Sequence, residues 1–309
     1  MPSTTYAFLW MGIQQLQQYF ADYGSYLDQN KETFYKNELS RIKTTYQIDL
    51  QKDFSERFEN EASLVYANVG QTESGKEPFV LFRIKSASSA IGMIEGWQDA
   101  VRKTRTTNVD KKLLAFDNQL TFTAYKLPFD VPGSLFGKLF EGENQWCVVA
   151  DNYLVFSSSP INLQKYLHYT ALHASLQTDL GFGKLVNLFS TRSNLTFYCS
   201  PAYANDFFEN ILKNNKLAEV QQSGSLSKMQ AMVFQLNNSN GKLYNNFFLK
   251  SSSENGLMET GMQTSWESLL DTAISFKPQL VQNHNTGELE IFVQDMANNI
   301  YLLNNILVE

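Results

Sequence analysis

Three histidines and two cysteines are the residue types with most to offer chemically: His168, His173 and His284, and Cys147 and Cys199. His168 and His173 stand five residues apart in a segment read as helical, which turns them about 140° from each other around the axis. They do not converge as an i, i+4 metal pair would. His284 falls in a predicted turn, where a hydrogen-bonded structural role is the common one. Cys147 lies between Trp146 and Val148, and Cys199 follows Tyr198 at a strand end. Such surroundings belong to inert buried thiols, and no flanking residue supports a Cys–His dyad.

Four further patterns are weaker. Ser225-Leu226-Ser227-Lys228 matches S-x-x-K, but Gly224 precedes it, a strand follows at Met229, and no K-T-G or S-D-N segment accompanies it. Gly181-Phe182-Gly183-Lys184 is a scrap of a phosphate loop with Leu185 in place of the metal-binding hydroxyl, and it reads as a helix end or turn. Asp53, Glu56, Glu59 and Glu61 form an acidic run that reads as the solvated face of a helix. Asn194-Leu195-Thr196, Asn237-Asn238-Ser239 and the D-[ST]-aliphatic match Asp271-Thr272-Ala273 are short enough to arise by chance. The expectation is therefore no catalytic, cofactor-binding or metal-binding residues, no cofactor, and a protein that is not an enzyme.

The elements that would position any site follow from hydrophobic period. Thr5 to Trp10 reads as a strand, and Ile13, Leu16, Phe20, Tyr23 and Leu27 recur at helical spacing. Lys31 to Tyr46 and Asp49 to Phe58 read as further helices. The strands Ala62 to Val69 and Phe79 to Lys85 form a hairpin around Gln71 to Glu77, Ser86 to Arg105 is helical, and Leu120 to Leu127 is a strand. That order, β-α-β-β-α-β, is the connectivity of ferredoxin-like units. A second hairpin, Trp146 to Ala150 with Tyr153 to Ser157, turns at Asp151-Asn152, and Pro160 opens a helix carrying Leu163, Tyr166 and Leu167.

The opening pattern then recurs. Leu195 to Tyr198 followed by Tyr203 to Leu212 repeats strand-then-helix; matching Thr5 to Thr196 sets Leu16 against Phe207 and Phe20 against Ile211. Ser63-Leu64-Val65-Tyr66 is echoed by Ala231-Met232-Val233-Phe234, with Asn237 to Lys242 as the turn. Duplication and chance similarity of aromatic-rich segments both remain open here. The expected class is α+β: antiparallel sheets with helices packed on one face, two related β-α-β-β halves if the repeat is a duplication, and a short all-β C-terminal segment. The expected divisions are 1–145, 146–256 and 257–309, the last opening after the polar stretch Ser251 to Gly256. From Ile274 three short strands, Ser275 to Gln282, Glu288 to Gln294 and Asn299 to Leu303, have the rhythm of an incomplete β-propeller blade.

Composition bounds the partners. With 43% hydrophobic and 18% charged residues over 309 positions, the chain can bury a large core. A net charge of -6 opposes binding to phosphate backbones, so nucleic acid is not an expected partner. Aromatics make up 14%, and Trp10, Trp97, Trp146 and Trp266 are the rings best suited to a stacking platform if exposed. No apolar run is long enough to span a bilayer and no secretory signal stands at Met1, which leaves two readings: a cytoplasmic protein, or a piece of a longer one.

Ile48-Asp49-Leu50-Gln51-Lys52-Asp53-Phe54 followed by Glu61-Ala62-Ser63-Leu64-Val65-Tyr66 resembles a bacterial family known as domain of unknown function 3352, with its "G-I-D-L-E-x-D-I" element before an "E-x-A-hydrophobic" strand. Phe79 to Lys85 and Asp151 to Tyr169 are similar to it too, and Lys277 to Asp295 resembles the propeller start of Bacteroidota members. Gln47 departs from the pattern, where the family carries Gly. The resemblance implies a membrane-anchored or exported parent, anchored through a segment outside this chain, and brings no catalytic residues. The expected function is a non-catalytic interaction or scaffold domain of a larger cell-envelope protein with a protein partner, facing the periplasm or exterior. The alternative is a domain binding a glycan or peptide.

Overall fold

The computed structural model describes residues 1–69, 78–104, 109–115, 121–172, 174–186, 189–190, 193–204, 228–239, 241–251, 274, 276–295 and 298–303. Residues 1–254 and 255–309 form two separate units.

The first unit begins as its hydrophobic period dictates. Strand β1 (Thr5–Gly12) feeds helix α1 (Leu16–Gln29), which buries Leu16, Phe20 and Leu27, three residues on one helical stripe. Helix α2 (Phe34–Tyr46) ends at Gln47, whose φ of 59° and ψ of 31° place it in the left-handed region. Glycine is the residue that adopts this conformation without strain. Helix α3 (Leu50–Arg57) starts at Asp49, whose carboxylate accepts from the Lys52 N–H at 3.2 Å. The chain then turns extended at Phe58 and runs on as β2 (Phe58–Ala67), β3 (Phe79–Ile84), α4 (Ala87–Lys103), β4 (Lys111–Ala115), β5 (Thr121–Lys126), α5 (Val131–Phe136), β6 (Trp146–Ala150) and β7 (Tyr153–Ser157). Asp151, in the β6–β7 turn, has φ of 50°, as the Asp-Asn pair suggests. Helices α6 (Pro160–Ala171) and α7 (Leu180–Val186) precede β8 (Leu195–Cys199), β9 (Met229–Ser239) and β10 (Lys242–Ser251).

All ten strands make one antiparallel sheet, ordered β10-β9-β8-β1-β2-β3-β7-β6-β5-β4. The class is α+β. The sheet runs unbroken across residue 146, and β6 and β7 pair with β5 and β3. The place beside β1 that a ferredoxin-like unit gives to its fourth strand is taken by β8, and β5 pairs with β4 and β6 instead.

One detail differs from the one-sided covering expected. Helices α1–α5 pack on one face of the sheet with Leu64, Phe82, Leu154 and Phe156, while α6 and α7 pack on the other with Phe8, Val65, Leu81 and Val155. The reason lies in the strands. Phe79-Val80-Leu81-Phe82 and Leu154-Val155-Phe156 are apolar at every position, and all seven side chains are buried, so both faces need cover. The first face is filled by phenylalanines: Phe54 stacks on Phe58 with centroids 3.7 Å apart and meets Phe82 edge-on at 4.8 Å. Each such ring removed from water contributes roughly 1.5–3 kcal/mol.

Pairing registers reveal an internal symmetry. Phe8 lies opposite Tyr198, Val65 opposite Phe8, and Val233 opposite Tyr198; beyond them Phe79 faces Val65 and Phe248 faces Val233. Both triplets also run outward from this pair in chain order, so a local two-fold axis through the Phe8–Tyr198 pair relates the arrangement of β1-β2-β3 to that of β8-β9-β10. The hairpin match read from sequence, Val65 to Val233, has this register. The match of Thr5 to Thr196 does not: the register equates Thr5 with Leu195, because a one-residue slip would put Phe8's equivalent on the opposite face. Phe207 and Ile211 lie outside the described residues.

The second unit holds three antiparallel strands, β11 (Gln279–Gln282), β12 (Leu289–Gln294) and β13 (Ile300–Leu303), ordered as a meander. Asp295 is buried there and accepts from the Asn299 N–H at 2.8 Å and the Tyr301 hydroxyl at 3.0 Å.

Candidate functional site

The α6/α7 face is not fully covered. On this face the sheet floor carries Trp10 and Gly12 on β1, Glu59, Glu61 and Ser63 on β2, Leu81 and Arg83 on β3, and Tyr153 on β7. Three hollows join along this floor. One of ≈ 420 Å³ runs from Asp151 and Tyr166 over Ser63 to Glu61. A second, of ≈ 650 Å³, shallow and widely open to solvent, continues from Glu61 past Arg83, Lys85 and Asn194 to Trp10. Beyond Trp10 lies an apolar slot of ≈ 340 Å³ lined by Phe8, Leu176, Phe182, Val186 and Phe189. The first two share Glu61 and the last two share Trp10, so the whole is one groove.

Its polar part is a connected network. Alternation along β2 sends Glu59 and Glu61 to the same face, and Arg83 reaches both: Nε lies 2.9 Å from Glu59 and Nη1 3.5 Å from Glu61. The Tyr153 hydroxyl, on the strand beside Arg83, donates to Glu61 at 3.0 Å. Burial, followed by the charge of Glu61, pushes the Tyr153 phenol up to about 12, so it stays protonated and keeps donating. Glu59, foremost, and Glu61 hold the Arg83 guanidinium above its ordinary value. Lys85 is engaged with the end of α3, donating to the carbonyls of Ser55 and Glu56 at 3.3 and 3.0 Å.

The aromatic part depends on a glycine. The Trp10 ring lies along β1 above Gly12, and a Cβ at Gly12 would sit 2.7 Å from Trp10 Cη2. A phenylalanine pair closes the slot, with Phe182 edge-on to Phe189 at 5.9 Å. Phe182 also reaches the symmetry axis, 6.0 Å from Phe8 and 5.1 Å from Tyr198.

Of the residues singled out from sequence, Trp10, Glu59, Glu61, Phe182, Asn194 and Thr196 line the groove, and the others fall elsewhere. His168 is exposed on α6 and His284 is exposed in a turn; His173 lies outside the described residues. Among the described residues no group of three metal-ligating side chains gathers. Cys147 and Cys199 are buried on strands separated by β7, β3, β2 and β1, and burial raises both thiols, Cys199 to about 12. Ser225 and Ser227 are outside the described residues. Gly181 to Lys184 belong to α7, where the Asp179 carboxylate accepts from the Phe182 N–H at 2.6 Å and so occupies the place an anion would take. The Asn194 side chain accepts from the Asn238 N–H at 2.7 Å, tying the groove rim to β9.

The acidic run needs correction. Asp53 and Glu56 are on α3, Asp53 accepting from the buried Trp97 indole at 2.8 Å, but Glu59 and Glu61 stand on β2 and enter the groove. The helix stops at Arg57 because Phe58 adopts an extended conformation to reach the core. Arg83 and Tyr153 were not singled out. A charged residue inside the apolar run Phe79 to Ile84 was the available signal, since burial on both faces would exclude it unless it reached a polar site.

No protein-family model, curated protein or solved structure matches the chain. Among the described residues, no helix is long and apolar enough to cross a membrane.

Proposed function

We propose that residues 1–251 act as a non-catalytic binding module of a larger envelope-facing protein, and that the groove on the sheet face covered in part by α6 and α7 holds the bound group. The observation that carries this reading is half-buried Trp10 at the junction of an apolar slot and a charged network, in a concavity of a size that suits ligands. A passive scaffold has no use for such a junction, so the ligand-binding reading is favoured over the scaffold one. The non-catalytic part draws support from the state of the groups present. Tyr153 is held protonated, Arg83 is paired, and both thiols are buried away from the groove. The envelope placement draws on the resemblance given above, and fractionation of the full-length parent tests it: recovery only from cytosol would end it.

Site-specific photocrosslinking in cells tests the groove. A benzoylphenylalanine at Val186, exposed on the groove rim, should give a discrete adduct, whereas one at Tyr26, exposed on α1 on the other face, should not. Equal background from both positions would overturn the reading.

A further inference from the structure

We infer that the groove is a subsite for a neutral glycan, with one sugar ring stacked on the Trp10 indole and its hydroxyls bonded to the Glu61–Arg83 network. This deepens the binding-module reading and rests on it.

Charge speaks first. Around Trp10 the ≈ 650 Å³ hollow presents two carboxylates, Glu59 and Glu61, and two cations, Arg83 and Lys85, which balance. A site for an anion or a cation would carry an excess of the opposite sign. What this lining offers is a mixture of donors and acceptors without net charge: carboxylate oxygens, a guanidinium, and the exposed side chain of Asn194, whose oxygen accepts from the Asn238 N–H. An ionised carboxylate has about four acceptor sites, and Glu61 receives bonds from Tyr153 and Arg83. Hydroxyl groups, which both donate and accept, suit such a lining.

The ring supplies the second argument. Gly12 has no left-handed φ, so its backbone does not require glycine. Its bare Cα instead gives the Trp10 ring room to lie along the strand, since a Cβ would come within 2.7 Å of it. An indole laid beside a row of polar groups presents a flat apolar surface at the edge of a hydrogen-bonding field, the two features that match the C–H face and hydroxyl rim of a pyranose.

A peptide strand fits less well. Every strand of the floor is already paired on both sides, β1 by β8 and β2, β2 by β1 and β3, β3 by β2 and β7. No edge is left there for a strand to add to. The apolar slot past Trp10 further favours a sugar with an apolar substituent. A methyl carried by an N-acetyl group, buried among Phe182, Val186 and Phe189, would strengthen binding about four-fold over the unsubstituted ring.

The test follows the Trp10 indole N–H resonance, assigned through Trp10→Phe, during titration with chitohexaose, cellohexaose, polygalacturonate oligomers and a neutral Leu/Phe-containing heptapeptide. The expected result is a saturable shift with chitohexaose, a weaker one with cellohexaose, and none with the acidic oligomers. Trp10→Ala, which lacks the indole and is followed by isothermal titration calorimetry beside the unaltered chain, should weaken binding about ten-fold, the loss of one aromatic stacking contact. Gly12→Ala, which keeps the indole but displaces its ring, should weaken binding too, and Trp146→Phe, outside the groove, should not. Chitohexaose binding unchanged in both Trp10→Ala and Gly12→Ala would overturn the inference. A shift with the peptide and none with either neutral oligosaccharide would overturn the glycan assignment and leave the binding-module reading standing; no shift with any probe would overturn both.

Discussion

Gln235→Leu tests how the groove is held without touching what it would bind. Gln235 is only 2% exposed on β9, facing the α7 side. Its Oε1 accepts from the Ser190 N–H at 2.8 Å, and its Nε2 lies 3.2 Å from the Ser190 carbonyl, 3.3 Å from Ser193 Oγ and 3.2 Å from Thr196 Oγ1. Ser193 and Thr196 also bond each other at 2.8 Å, so their hydroxyls retain a partner when the amide is removed. The Ser190 peptide group loses its bonds to the glutamine on both sides. The two bonds together contribute about 2 kcal/mol. The added apolar burial of leucine offsets about 1 kcal/mol. The net loss is then about 1 kcal/mol, or a fall of roughly 2–4 °C in the melting temperature for a unit of this size. Urea unfolding followed by near-ultraviolet circular dichroism measures the loss, and hydrogen exchange locates it: the Ser190 amide should lose its protection while amides of β2 and β3 keep theirs. Ser193 and Asn194 line the groove and Phe189 its slot, so ligand binding should weaken with stability. An unchanged unfolding midpoint, or a Ser190 amide still protected in the variant, would refute the reasoning.

Three further outcomes follow from the same structure. Gly137→Ala should destabilise by about 3 kcal/mol in thermal melts: a φ of 77° with ψ of -161° is a glycine conformation, and the new Cβ would meet the Tyr23 hydroxyl at 1.8 Å; adding Tyr23→Phe should recover part of the loss. Gln47→Gly should raise stability by about 0.5–1 kcal/mol in urea titrations, because the left-handed end of α2 strains a residue with a Cβ; the Gln47 Nε2 bond to the Thr44 carbonyl, which the variant loses, is exposed and offsets little. Stability should hold from neutral pH to about 9 and fall from there to about 12. Burial raises Tyr19, Tyr153 and Tyr198 from 10.0 to about 12 and Cys199 from 9.0 to about 12, so the unfolded chain sheds these protons first and is favoured as pH rises. Melting temperatures across pH 7–11.5 check this, and a flat profile above pH 10 would contradict it.

Much of the first unit is legible in the sequence because local period and turn chemistry agree with tertiary need. The stripe Leu16, Phe20, Leu27 could only be a helix face, and Asp151-Asn152 between two apolar runs could only be a turn. What is not legible is long-range pairing. Nothing local in Thr121–Lys126 says that it pairs with β4 and β6 rather than returning to β1, and Lys111–Ala115 is short, mostly exposed and without the alternation that announces a strand. The two-sided covering was legible in Phe79 to Phe82, where apolar residues do not alternate with polar ones. The groove was half legible. Trp10 stood out as a ring able to form a platform, but Glu59 and Glu61 read as helical until Phe58 is known to start a strand, and Arg83 and Tyr153 acquire meaning only when β3 and β7 lie side by side.

The symmetry of the sheet separates frame from groove. Residues equated by the axis through Phe8 and Tyr198 are alike at several core positions, Val65 with Val233, Phe79 with Phe248 and Tyr66 with Phe234, and unlike at others, buried Leu81 being equated with exposed Lys250. They are unlike where the groove lies. Trp10 is equated with Ser200, Glu61 with Met229 and Ser63 with Ala231, so the mate of the groove has neither ring nor carboxylate at these positions. If Trp10, Glu61 and Ser63 were needed to close the strand–hairpin frame, both copies would need them, because strand spacing and pairing are the same in both. The second copy pairs its strands with Ser200, Met229 and Ala231 in their place. Strand pairing itself therefore does not need Trp10, Glu61 or Ser63, while side-chain differences at core positions such as Leu81 and Lys250 follow the difference in cover between central β3 and edge β10.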